Sequence, residues 1–191
     1  MGILILGLII FFGIHSVSII NASWRDRMVA KLGELPWKGI YSLISLVGFV
    51  LIIQGYGLAR ADAVVLYFPP AWLSHLAMLL LIPVFPLLLA AYLPGRIKAT
   101  VKHPMLTSTK LWALAHLLAN GMLADVLLFG AFLVWAGFDR MSMKHRTARA
   151  LPGPAPSKVN DIIAVVGGLM LHVAFVLWLH TWLIGAPLIG R

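Results

Sequence analysis

The chain has 191 residues, 61% of them hydrophobic and only 11% charged, with a mean hydropathy of +0.97. These values exclude an ordinary soluble domain and point to a polytopic membrane protein. The formal net charge of +9 sits in short clusters between apolar runs, so it reads as topology-setting loop charge and not as a nucleic-acid surface. Cysteine is absent, which excludes disulfides, thiolate nucleophiles, iron–sulfur clusters and a thiolate-ligated haem, and leaves His, carboxylate or Met to hold any metal.

The opening MGILILGLIIFFGIHSVSII lacks a basic n-region and an A-x-A-like cleavage site, so it is expected to be a membrane helix and not a signal peptide. Apolar stretches at 2–20, 38–58, 71–93 and 161–186 each approach or exceed the roughly 20 residues that span a bilayer. Pro83 and Pro86 should kink the third. A fifth stretch, 110–138, fits one tilted crossing or two short arms.

Loop cations decide between these. Lys and Arg cluster at 21–38, 94–110 and 139–160, with Arg60 alone at 59–70 and Arg191 at the end. A single crossing would divide the cations nine to six between the two sides, whereas a hairpin divides them thirteen to two. The positive-inside rule favours the hairpin, and Asn120-Gly121 is a natural turn. The arms fall near 105–119 and 122–138, roughly 22 and 25 Å long. The expectation is therefore an all-α membrane helix bundle of five to six transmembrane segments with a helical hairpin at 105–138. It forms one domain over 1–191, with both termini facing away from the cytoplasm. ALPGPAPS, 150–157, reads as a linker.

Seven histidines stand out in so apolar a chain. His145, in MKHRTAR, reads as solvated, and His75 and His180 fall nearer the opposite face. In this topology His15 lies about 8 Å in from the cytoplasmic end of its helix, His116 about 10 to 16 Å in along the first hairpin arm, and His172 about 16 Å in on the last helix. Ionisable groups at membrane depth are functional candidates, and neutral imidazole is the usual nitrogen ligand of haem iron. A plain interhelical hydrogen bond remains the simpler role for each one singly. By depth alone, His116 and His172 are equivalent.

His103 stands at the membrane entry before Pro104, and the basic PGRIKATVKHP (94–104) could anchor topology or hold headgroups or haem carboxylates. Asp125 is expected to cap the hairpin turn near Asn120, with a buried histidine as its other available partner. Gln54, Tyr56 and Trp112 read as packing and interface residues. No G-x-S-x-G, GxGxxG, Walker loop or zinc spacing occurs.

FGIHS (12–16), WKGIYSLISLVGFVLII (37–53), YFPPAW (67–72), PGRIKATVKHPMLTSTKLWALAHLLANG (94–121) and LLFGAFLVWAGFDR (127–140) together resemble the NnrU family over most of the chain. That family is in turn similar to the plant 15-cis-zeta-carotene isomerase, a membrane protein with bis-histidine haem b. The resemblance implies haem b as cofactor, with His15 and His116 as iron ligands, His172 as the alternative, and His103 near the site. It also implies a bacterial inner-membrane location and an association with nitrite and nitric oxide reduction. Lys102 stands where the related motif has Arg, which keeps the charge but loses bidentate reach to a carboxylate.

Three function classes follow. The first is a haem-b membrane protein, with the bilayer, haem, and nitric oxide or a hydrophobic small molecule as partners, and with isomerase-like or redox activity. The second is an S-adenosylmethionine-dependent membrane methyltransferase, since the HP block after PGR also resembles the isoprenylcysteine and phospholipid methyltransferases. Those enzymes carry an acidic residue and aromatics downstream, and here only Asp139 is offered. The third is a cofactor-free assembly factor whose histidines bond between helices.

Overall fold

The computed structural model describes residues 1–146, 154–186 and 188, so Arg149, the first four residues of the expected linker and Arg191 lie outside the described residues. In chain order the helices are α1 (Gly2–His15), α2 (Val17–Ile20), α3 (Ala22–Leu32), α4 (Glu34–Ala61), α5 (Ala71–Leu81), α6 (Val84–Tyr92), α7 (Arg96–Val101), α8 (Pro104–Ala119), α9 (Leu123–Ser142), α10 (Lys158–Ala174), a π-helical turn (Phe175–Leu179) and α11 (His180–Ile184). Among the described residues there is no strand, only an isolated bridge between Val65 and Met122. Among the described residues three runs are long and apolar enough to cross a membrane: Glu34–Ala61, Ala71–Tyr92 and Lys158–Ile184. Shorter helices add to them, α1 with 14 residues and α8 with 16. The expected all-helical membrane architecture is present. Apolar side chains such as Ile162, Val166, Met170 and Trp178 stand exposed, as they do on helices solvated by lipid.

The chain gathers into two compact units, one from residues 1–69 and 120–146, the other from 70–119 and 154–186. The two arms of the expected hairpin, α8 and α9, thus belong to different units.

In the first unit α1 and α4 pack antiparallel on small residues. A Cβ added at Gly48 would lie 2.7 Å from the Phe11 nitrogen, and one at Gly7 would lie 2.6 Å from that of Ile52. Gly55 meets the Leu4 backbone in the same register. Such contacts let two backbones approach closely where lipid offers no hydrophobic drive to association. The first span is not one continuous helix to residue 20, because α1 ends at His15 and Ser16 interrupts it before α2. Asn21 then caps α3, accepting from the Trp24 amide at 2.8 Å. On the opposite end the segment 64–67 pairs with the α8–α9 turn. Leu66 donates to the Gly121 carbonyl at 2.8 Å and Leu123 to that of Val64 at 2.8 Å.

In the second unit the third span breaks at Pro83, as expected, and α6 resumes at Val84. The buried Ser108 hydroxyl donates to the Val84 carbonyl at 2.9 Å, tying α8 to the break. Gly168 of α10 lets that helix close on Pro86. A polar knot fixes one end of this unit. Asp161 of α10 accepts from the Arg96 and Ile97 amides at 2.8 and 3.1 Å, capping α7 from a distant helix. Asn160 donates to the carbonyls of Pro94 (2.7 Å) and Ala155 (2.9 Å). A Cβ at Gly95 would strike the Asp161 carboxylate, so PGR requires its glycine. Asp161→Ala should cost about 1–2 kcal/mol by losing both caps. A lowered Tm in detergent, partly restored by Asp161→Asn, is the expected reading.

Candidate functional site

His15 is the last residue of α1, and its position follows from the α1–α4 and α1–α9 packing. Its Nδ1 lies 2.7 Å from the Phe11 carbonyl. A carbonyl only accepts, so Nδ1 carries the proton and Nε2 the lone pair. Aromatic rings surround the imidazole: Phe11 stacks on it at 4.1 Å, Tyr41 of α4 stands 5.2 Å away and Trp135 of α9 5.9 Å away edge-on. Phe12 and Phe132 extend this wall at 4.9 Å from each other. Asp139, one turn beyond Trp135, acts electrostatically on both His15 and Tyr41 and is paired with Arg146. Ser142 also donates to the Asp139 carbonyl at 2.9 Å.

Among the described residues three buried side-chain donors lack a hydrogen-bond partner: Ser45 Oγ, Trp135 Nε1 and Arg146 Nε. All three belong to the unit that holds His15. Continuing the Phe11–Gly48 register one turn sets Ser45 opposite Ile14, beside His15. None of the three is distinguished in the sequence, since only the helix register assembles them.

His116 repeats the His15 arrangement in the second unit. Its Nδ1 lies 2.8 Å from the Trp112 carbonyl, one turn back, and the Trp112 ring is 5.2 Å away. Its proton is thereby assigned to Nδ1 as well. His172, equivalent by depth, lies near the end of α10 and its ring makes no hydrogen bond among the described residues. His180 bonds through Nδ1 to the Ala186 carbonyl at 2.7 Å, and His75 and His145 are exposed. His15 and His116 lie in different units, each defined by its own surroundings.

Lys102 and His103 stand at the other end of α8, thirteen residues or roughly 20 Å along its axis from His116, too far to share one iron with it. Lys102 has φ 65° and ψ −47°, the one positive-φ residue other than glycine among those described. The His103 amide donates back to the Val101 carbonyl at 2.8 Å, so Lys102 centres a γ-turn of the rarer, strained hand. The turn reverses the chain between α7 and α8 and leaves the Lys102 side chain exposed.

Asp125 caps α9 as expected, accepting from the Met122 amide at 3.1 Å. It also does what the sequence did not reveal. Its other oxygen accepts from Tyr56 at 2.6 Å, joining α9 to α4, and the Arg60 guanidinium sits 5.7 Å over the Tyr56 ring. Nearby, Tyr67 donates to the Asn120 carbonyl at 2.7 Å. Burial first, and the Asp125 carboxylate second, raise the Tyr67 phenol above its ordinary value, so it remains a donor at neutral pH.

The model of the family described as NnrU protein matches residues 3–188. The chain belongs to the NnrU family. No curated protein and no solved structure matches it. The matched residues include those of both units, with His15 in one and His116 in the other. Among the described residues no three His, Asp or Glu side chains gather into a group that could hold a metal ion.

Proposed function

We propose that this NnrU protein is a bacterial inner-membrane protein, both termini outside the cytoplasm, that holds haem b with His15 and His116 as the iron ligands. The observation that carries the reading is the shared imidazole geometry. Both rings commit Nδ1 to the carbonyl one turn back, at 2.7 and 2.8 Å, which puts the ligating lone pair on Nε2 and fixes ring orientation. Aromatic side chains flank both rings. Haem iron, when bound, supplies one-electron redox chemistry suited to nitric oxide or to a hydrophobic polyene. This fits a role beside nitrite and nitric oxide reduction or an isomerase-like one. The chain's own residues orient the two nitrogens.

The methyltransferase reading is less well supported, because Asp139, the acidic residue it relies on, is already engaged by Arg146 and Ser142. Absorption spectra of the detergent-purified protein, oxidised and dithionite-reduced, test the proposal. A six-coordinate low-spin spectrum is expected, lost in His15→Ala and in His116→Ala and retained in His172→Ala and His103→Ala. Protein that stays colourless after haem is supplied sinks the reading.

A further inference from the structure

We propose that the aromatic-walled side of His15 receives a carboxylate through Trp135 Nε1, Ser45 Oγ and Arg146 Nε. Buried donors in a folded protein are almost always paired, so each unpaired one asks for an explanation. Here the unpaired buried donors of the described residues are of one kind and belong to one unit. Indole N–H and guanidinium N–H can only donate, and the serine hydroxyl can donate as well. Trp135 stands 5.9 Å from the His15 ring, and Asp139, one turn further along α9, pairs with Arg146. Asp139 takes a terminal guanidinium nitrogen and leaves Nε for another acceptor. Ser45 enters from α4 in the register that places it opposite Ile14.

What would satisfy such a set is a group with several acceptor oxygens and negative charge, since hydrogen bonds to charged acceptors are the strong ones. Asp139 and Arg146 balance each other's charge, so recognition rests on the three N–H and O–H donors. Phe11, Phe12 and Phe132 line the adjoining wall, so the rest of the ligand is apolar. An apolar body with an acidic end describes both haem with its carboxylates and a lipid acid. The first source rests on the haem reading and the second does not.

The test uses full-length protein in detergent, titrated with haem b, haem b dimethyl ester and carboxyl-labelled oleate, for the parent and for Trp135→Phe, Ser45→Ala and Arg146→Gln. Trp135→Phe keeps the aromatic wall and removes the donor, and unchanged circular dichroism and Tm certify the fold. If haem is the source, the parent prefers haem to its ester by about tenfold or more, and the variants lose that preference. If haem and its ester both fail to bind but oleate binds about tenfold more weakly to the variants, the anion site stands and the haem reading falls. The proposal is overturned if the parent binds haem and its ester equally and the variants bind oleate as the parent does. It is equally overturned if none of the three probes binds.

Discussion

Gly48→Leu is expected to separate α1 from α4 and to cost the protein about 3 kcal/mol or more. Overpacking is usually tolerated when the obstructing atom is the end of a flexible side chain. At Gly48 the first added carbon meets the Phe11 nitrogen at 2.7 Å and its Cα at 2.9 Å, and backbone cannot rotate aside. The only relief is to move a whole helix outward, which opens the tightest pairing in the unit and carries His15 away from Tyr41. Gly57→Leu is the matched control, because nothing lies within 4 Å of its added carbon. Melting both variants in the same detergent should show a collapse of Tm for Gly48→Leu and no more than a small change for Gly57→Leu. Equal behaviour would mean that the close approach of α1 and α4 is not what holds them.

Asp125→Leu is expected to be nearly as damaging, at about 3 kcal/mol. The substitution removes an acceptor from two donors at once. The Tyr56 hydroxyl loses its 2.6 Å bond and the Met122 amide its 3.1 Å bond, and neither regains water in so buried a place. Tyr56→Phe combined with Asp125→Leu should recover part of the loss, since removing both polar partners is cheaper than stranding one. Asp125→Asn should fall between, as the amide oxygen accepts one bond but not both. A double-mutant cycle read by thermal melting checks this, and strict additivity of the two changes would show that the pair is not coupled.

Much of this fold was legible in the amino-acid order. Apolar length marked three runs able to cross a membrane, Pro83 marked the break between α5 and α6, and Asn120-Gly121 marked the break between α8 and α9. The interruption at Ser16 was not legible, because FGIHSVSII is apolar on both sides of it and a serine is no helix stop. Nor was the π-helical turn at Phe175–Leu179, which differs from its neighbours in hydrogen-bond register and not in composition. Contacts between distant positions were out of reach for the same reason. Asp161 reads as the start of a span, yet its carboxylate closes a helix 65 residues away. Asp125 could be seen as a cap because the partner is three residues off, while its bond to Tyr56 spans 69 positions.

The same limit applies to the candidate site. His15 and His116 could be picked out because imidazole is rare at that depth, and the Nδ1 bonds add the tautomer. Trp135, Ser45 and Arg146 carry nothing in their neighbourhoods along the chain to set them apart from other tryptophans, serines and arginines. Only the meeting of three helices does so.

The bond between Tyr56 and Asp125 also dictates an order of manufacture. The chain leaves the first unit after residue 69 and returns to it only at 120, so a ribosome makes α5 to α8 before α9 exists. The glycine-lined pair α1 and α4 can close as soon as α4 is in the bilayer, with the Tyr56 hydroxyl still lacking its acceptor. For the time it takes to synthesise the next 69 residues, that phenol lacks the carboxylate it bonds in the finished unit.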